Sequence, residues 1–112
     1  MINVTERDEK GVAIFALEGR VDTQGAVDMD LALQAAVASG KSRMVLDMSR
    51  VTYISSAGLR TLADVLTRNT NEGGDLKLVS VNPRVARVLE IIGFMNFFSI
   101  YESVPAAIAD FA

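Results

Sequence analysis

Two short runs, Arg43–Met48 (RMVLDM) and Leu76–Val81 (LKLVSV), are largely apolar and lack polar–apolar alternation. Strands of this kind are buried on both faces, and a sheet buried on both faces needs helices to cover it. The covering helices are legible. Leu59, Leu62, Ala63 and Leu66 fall at i, i+3, i+4 and i+7, an amphipathic stripe that ends near Gly73-Gly74, read as a plain turn. Val85, Val88, Leu89 and Ile92 repeat the spacing; Asn82-Pro83 opens that helix and Gly93 closes it. Gln24–Ser39 is Ala- and Leu-rich, with Asp22 as its expected cap and Gly40 as its stop, but its buried face is blurred. Met1–Thr5 and Val12–Leu17 read as a hairpin whose turn is the charged stretch Glu6–Gly11. A strand near Phe98–Tyr101 and a short helix over Val104, Ile108 and Phe111 complete the chain. The expected order is β-β-α-β-α-β-α-β-α, an α/β fold with a mixed sheet of four to five strands and about four helices. Half of the 112 residues are hydrophobic, enough for the core of one domain over 1–112.

The residues exclude several chemistries. There is no histidine and no cysteine, which removes the commonest general base, Ser-His pairing, thiolate metal sites and disulfides. Lysine and arginine number 11 against 14 acids, a net charge of −3 without a basic stripe, so no nucleic-acid surface is expected. No phosphate-binding loop or dinucleotide fingerprint occurs, and no cofactor is expected. Asp28 and Asp30 are two apart on a helix and do not face each other. Asp47, at a strand end, reads as a loop anchor in preference to a metal ligand. Phe94, Phe97 and Phe98 read as core in preference to partner contacts. No apolar run approaches the roughly 20 residues needed to span a bilayer, and MINVTERDEK lacks a signal core. These features lead to the expectation of a non-enzymatic, cytoplasmic domain.

One stretch stands out: Val51–Leu62, VTYISSAGLRTL. Ser55-Ser56 lies between a strand and a helix expected to start at about Ala57. Four backbone N–H groups are unpaired at such a terminus, which also carries partial positive charge. The pair can be a cap, an anion cradle, a nucleophile or a phosphorylation site. A cap is the plainest reading, and Ser56 can cap and still carry a phosphoryl group. Gly58, without a side chain, is expected to let a partner or an anion approach the backbone. Arg60 can pair with an anion or remain solvated. A nucleophile needs an adjacent base, which the sequence does not supply.

The run DMSRVTYISSAGLRTL resembles the signature segment of the STAS domain in the anti-sigma factor antagonist family. Glu18-Gly-Arg-Val-Asp22-Thr23 resembles the family's loop before its first helix, and Phe94–Ala107 its closing strand and helix. The resemblance covers essentially the whole chain. It implies a STAS-type single domain in which Ser56, two before the glycine, is the phosphoacceptor. It further implies that the unmodified form binds an anti-sigma factor that is also a serine kinase, and thereby releases a sigma factor. Phosphorylation breaks the complex and a metal-dependent serine phosphatase resets it. Asp22, Thr23, Ser55, Ser56, Gly58 and Arg60 would form the partner surface. Ser55 stands where the family carries an acid, and Ala57 where it carries a small hydroxyl residue; Ser55 is thus a second candidate acceptor. The rival reading is a non-catalytic accessory subunit of another signalling, lipid-transport or anion-transport complex. Direct nucleotide or anion binding at the Ser56 terminus is a third.

Overall fold

The computed structural model describes residues 2–94 and 96–111. The elements are β1 (Ile2–Glu9), β2 (Val12–Val21), α1 (Thr23–Ala38), β3 (Arg43–Ile54), α2 (Ser56–Asn71), β4 (Asp75–Val79), α3 (Pro83–Ile91), β5 (Ile100–Tyr101) and α4 (Val104–Ala109). The strands form one sheet in the order β1-β2-β3-β4-β5. β1 pairs antiparallel with β2, and the remaining pairs are parallel. The expected element order, mixed sheet and four helices are all present.

Both faces of the sheet are covered, as the nearly continuous apolar runs require. Met44, Leu46 and Met48 of β3 pack on one face with Met29 and Leu33 of α1, Leu62 and Val65 of α2, and Leu89 of α3. Val45 points the other way and packs with Ile14, Val79, and Ala107 and Ile108 of α4. Lys77 is the charged exception inside β4. Its ammonium lies 2.9 Å from Asp75 and 3.7 Å from Asp110, and 4.7 Å from the centre of the Phe111 ring. A buried charge persists only when paired, and this pairing ties the end of α4 to the sheet.

Several boundaries differ from expectation. The first hairpin is longer: Glu6–Glu9 continue β1, opposite Val12–Phe15. The turn is only Lys10-Gly11, both with positive φ (54° and 78°), as a two-residue hairpin turn demands. The charges of Glu6–Glu9 are accommodated because β1 is an exposed edge strand, where charge is tolerated and discourages edge-to-edge pairing. Secondly, β3 runs beyond the expected Arg43–Met48, through Arg50-Val51-Thr52 to Ile54. Gly19 pairs with Val51 and Val21 with Ile54, while irregularities in register take up the extra polar residues. Thirdly, β4 stops at Val79, since Ser80 adopts φ 55° and leaves the strand direction. Gly73-Gly74 forms the expected turn, with Gly73 at φ 83°.

Gly74 also meets β3 at close range. A Cβ placed there would lie 1.9 Å from the carbonyl oxygen of Ser42. Backbone cannot step aside as a flexible side chain can. Gly74→Ala is expected to destabilise the chain by about 2–3 kcal/mol or more, measured by urea denaturation. Gly40→Asn, in open space at φ 82°, is expected to cost about 1 kcal/mol or less, because Asn is the side chain that best tolerates this region.

Candidate functional site

β2 and β3 run in parallel to their last residues, Val21 and Ile54. Each strand then turns directly into a helix. The Ser55 N–H donates to the Val21 carbonyl at 2.7 Å, so the two exits are fastened together. The N-termini of α1 and α2 are thereby set side by side. α3 starts at the same edge: the Asn82 side-chain amide donates to the Val51 carbonyl, and Asn82 caps α3 by accepting from the Val85 N–H at 2.9 Å.

Asp22 caps α1 as expected, accepting from the Gly25 N–H at 2.8 Å. This hydrogen bond is the main reason the Asp22 carboxyl titrates below its ordinary value, with further help from Arg20. Thr23 follows, exposed, at the first helical position. On α2 the cap is Ser55, not Ser56. Ser55 is extended (φ −84°, ψ 168°), and its hydroxyl accepts from the Gly58 N–H at 3.2 Å. Ser56 is the first residue inside the helix and is exposed; its hydroxyl has no hydrogen-bond partner among the described residues. The helix begins one residue earlier than expected because Ser55 already supplies the capping oxygen.

Gly58 has a different role from the one expected. It is buried, and a Cβ there would sit 2.8 Å from methyl or methylene carbons of both Ile54 and Val21. Its lack of a side chain lets the first turn of α2 close onto the ends of β2 and β3; it does not open the backbone to a partner. Arg60, one turn on from Ser56, is exposed.

Five of the six expected site residues, Asp22, Thr23, Ser55, Ser56 and Arg60, therefore lie on two adjoining helix starts, with Gly58 beneath them. Sequence reasoning missed an apolar groove of about 500 Å³ that runs alongside, between α2 and α3. Ser55, Ser56 and Arg60 line it together with Leu59, Val88 and Ile92. Val88 and Ile92 had been grouped with the core stripe of α3, yet they are 36% and 44% exposed. Only Val85 and Leu89 of that stripe are buried, because α3 touches the core along a narrow line. Tyr53 borders the groove with the Arg20 guanidinium 4.4 Å above its ring. Of the three phenylalanines read as core, Phe98 is buried, Phe94 is half-buried and lines the groove, and Phe97 is 56% exposed.

Asp47 acts as a local anchor, accepting from the Ser49 N–H at 3.0 Å. Asp28 and Asp30 point to separate partners, Gln24 and Gln34. Among the described residues no group of three or more acids is placed to hold a metal ion, and no helix is long and apolar enough to cross a membrane.

The chain as a whole is similar to known proteins. The family model described as the STAS domain matches residues 2–107, and the chain belongs to that family. Within it, the chain belongs with the anti-sigma factor antagonists. BtrV of Bordetella bronchiseptica, assigned by name to that group, is 40% identical over 101 residues, covering 90% of this chain and 87% of BtrV. The crystal structure of an anti-sigma factor antagonist from Mycobacterium paratuberculosis superposes with a TM-score of 0.88 at 26% identity, covering 98% of this chain and 93% of that one. The phosphorylated form of the Bacillus cell-fate determinant SpoIIAA has a TM-score of 0.77, covering 98% of this chain and all of that one; at 13% identity it speaks to the fold alone.

The lowered titration of Asp22 has a consequence for stability. A carboxyl depressed in the folded state stabilises fully above its unfolded value, near 3.9, and that contribution is lost as pH falls through the folded value. Asp22→Asn keeps a capping oxygen and removes the titration. Between pH 7 and pH 3 the melting temperature of Asp22→Asn is expected to fall less than that of the parent, by calorimetry; parallel pH profiles would remove the linkage.

Proposed function

We propose that this chain is an anti-sigma factor antagonist switched by phosphorylation of Ser56. The unmodified form binds an anti-sigma factor that is also a serine kinase and frees a sigma factor; a serine phosphatase restores it. The partners place the reaction in the cytoplasm, and the chain itself contributes no catalysis. The observation that carries this reading is the division of labour between the two serines: Ser55 is occupied as the cap of α2, while Ser56 is exposed with a free hydroxyl. Family membership and the 40% identity to BtrV support it.

In the transfer, the Ser56 hydroxyl oxygen attacks the γ-phosphorus of ATP. The bond to ADP breaks, and the hydroxyl proton passes to a base of the kinase. The product adds about −1.5 to −2 charge where there had been none. On the first turn of α2 that charge meets unpaired N–H groups and a favourable helix dipole. The fold of the antagonist tolerates it, so the effect falls on the partner interface formed by Asp22, Thr23, Ser55, Ser56 and Arg60. Gly58 supports that surface from below.

The test begins with the partner that co-purifies from the native cells, identified by mass spectrometry and incubated with ATP and the purified chain. Ser56→Ala is expected to abolish phosphate incorporation and retain binding. Ser55→Ala is expected to keep incorporation at Ser56 while costing about 1 kcal/mol of stability through loss of the cap. Ser56→Asp is expected to weaken binding at least about tenfold, or about 1.4 kcal/mol. Labelling that persists in Ser56→Ala would move the acceptor elsewhere, and recovery of transporter subunits in place of a kinase would favour an accessory role.

A further inference from the structure

Ser56 and Arg60 are four residues apart on α2, so they share one face of the helix, and both line the groove beside α3. Helical side chains lean toward the N-terminus, which is the direction in which Ser56 lies from Arg60. Among the described residues that line the groove, Arg60 is the only charged one, and none is a carboxylate. It forms no ion pair among the described residues, although Asp64 lies one turn further along. The walls are otherwise mainly apolar. Of the exposed large hydrophobic residues described, Tyr53, Val88 and Ile92 line the groove; Ile91 and Phe97, near them in sequence, and Val27 and Leu31, on α1, do not. A shallow apolar trough with a single unpaired cation, in a chain of net charge −3, is complementary to an amphipathic helix bearing a carboxylate at the edge of its apolar face.

We infer that Arg60 reads the switch. In the unmodified chain it pairs with that carboxylate on a helix of the anti-sigma factor seated between α2 and α3; a phosphoryl group on Ser56 then captures Arg60 from the same helical face. This rests on the function proposed above and specifies how the interface responds. The charge arithmetic sets the direction. The groove carries +1 before modification and about −0.5 to −1 after it, since Arg60 is offset by −1.5 to −2 from the phosphate. The partner carboxylate loses its cation and faces an anion in its place. Arginine suits both states because its planar fork binds carboxylate and phosphate alike.

Two measurements separate this inference from the functional reading. In the first, phosphoserine is incorporated genetically at position 56 and its phosphorus resonance is followed against pH, with no kinase or partner present. Arg60→Ala is expected to raise the second phosphate pKa by about half a unit or more, with Arg60→Lys in between. Equal values in all three chains would overturn the Ser56–Arg60 pair. In the second, the purified anti-sigma factor is titrated with the parent, Ser56→Asp, Arg60→Ala and the double variant. Arg60→Ala is expected to weaken binding about tenfold, and the Ser56→Asp penalty is expected to shrink at least about threefold in its background. Unchanged affinity in Arg60→Ala, or strictly additive penalties, would overturn the inference while leaving phosphorylation of Ser56 intact. Failure to find an anti-sigma factor would sink the functional reading, yet the phosphorus titration would still decide the pair. Self-association abolished by Val88→Asp would assign the groove to a second copy of the chain and overturn the helix assignment.

Discussion

The parallel pairing of β2 with β3, carried to the last residue of each, is the constraint on which the rest depends. Here Val21 still faces Ile54, and the Ser55 N–H still reaches the Val21 carbonyl. Two helices must therefore start within one strand spacing, roughly 4.8 Å, of each other. Gly58 and Gly25 make this sterically feasible. A side chain on Gly58 would meet Ile54 and Val21, and one on Gly25 would meet the Arg20 carbonyl at 2.6 Å. The surface bearing Asp22 and Ser56 is a consequence of backbone packing underneath it.

The caps show how one local rule serves different ends. Asp22, Ser55, Asn82 and Ser103 each accept from an N–H three residues on. Asp22 brings a charge whose titration is coupled to folding. Ser55 caps without charge and so leaves Arg60 as the only charged side chain among the described residues lining the groove. Phosphate on Ser56 thus has no competing carboxylate among the lining residues.

Much of this was legible in the chain. The unbroken runs around Val45 and Leu78 demanded a sheet covered on both faces, and the stripes from Leu59 and Val85 supplied helices. Asp22 and Asn82 could be placed as caps because a short polar acceptor directly preceded a helical pattern. What failed to show depends on contacts distant in sequence. Glu6–Glu9 looks like a turn until β2 offers it a ladder. Arg50–Thr52 looks like a loop until an irregular register lets Val51 turn inward. Ser56 seemed the cap because nothing local distinguishes it from Ser55; the choice is made by the hydrogen bond to Val21 across the sheet. The groove was hidden because its two walls, on α2 and α3, come from stripes that each read as core. Only their packing angle leaves Val88 and Ile92 outside.

The Lys77 cluster lies at the other end of the molecule from all this. It fastens Asp110 and Phe111 against the sheet, near Arg43, where β3 begins, whereas Ser56 lies just past the point where β3 ends. The carboxyl end of the described chain and Ser56 are thus held at opposite poles of one strand. A chain tethered or fused through its last residues would present its serine pole outward. The same small unit can be hung on a larger assembly, or on a sensor surface, without rebuilding the edge that bears Asp22 and Ser56.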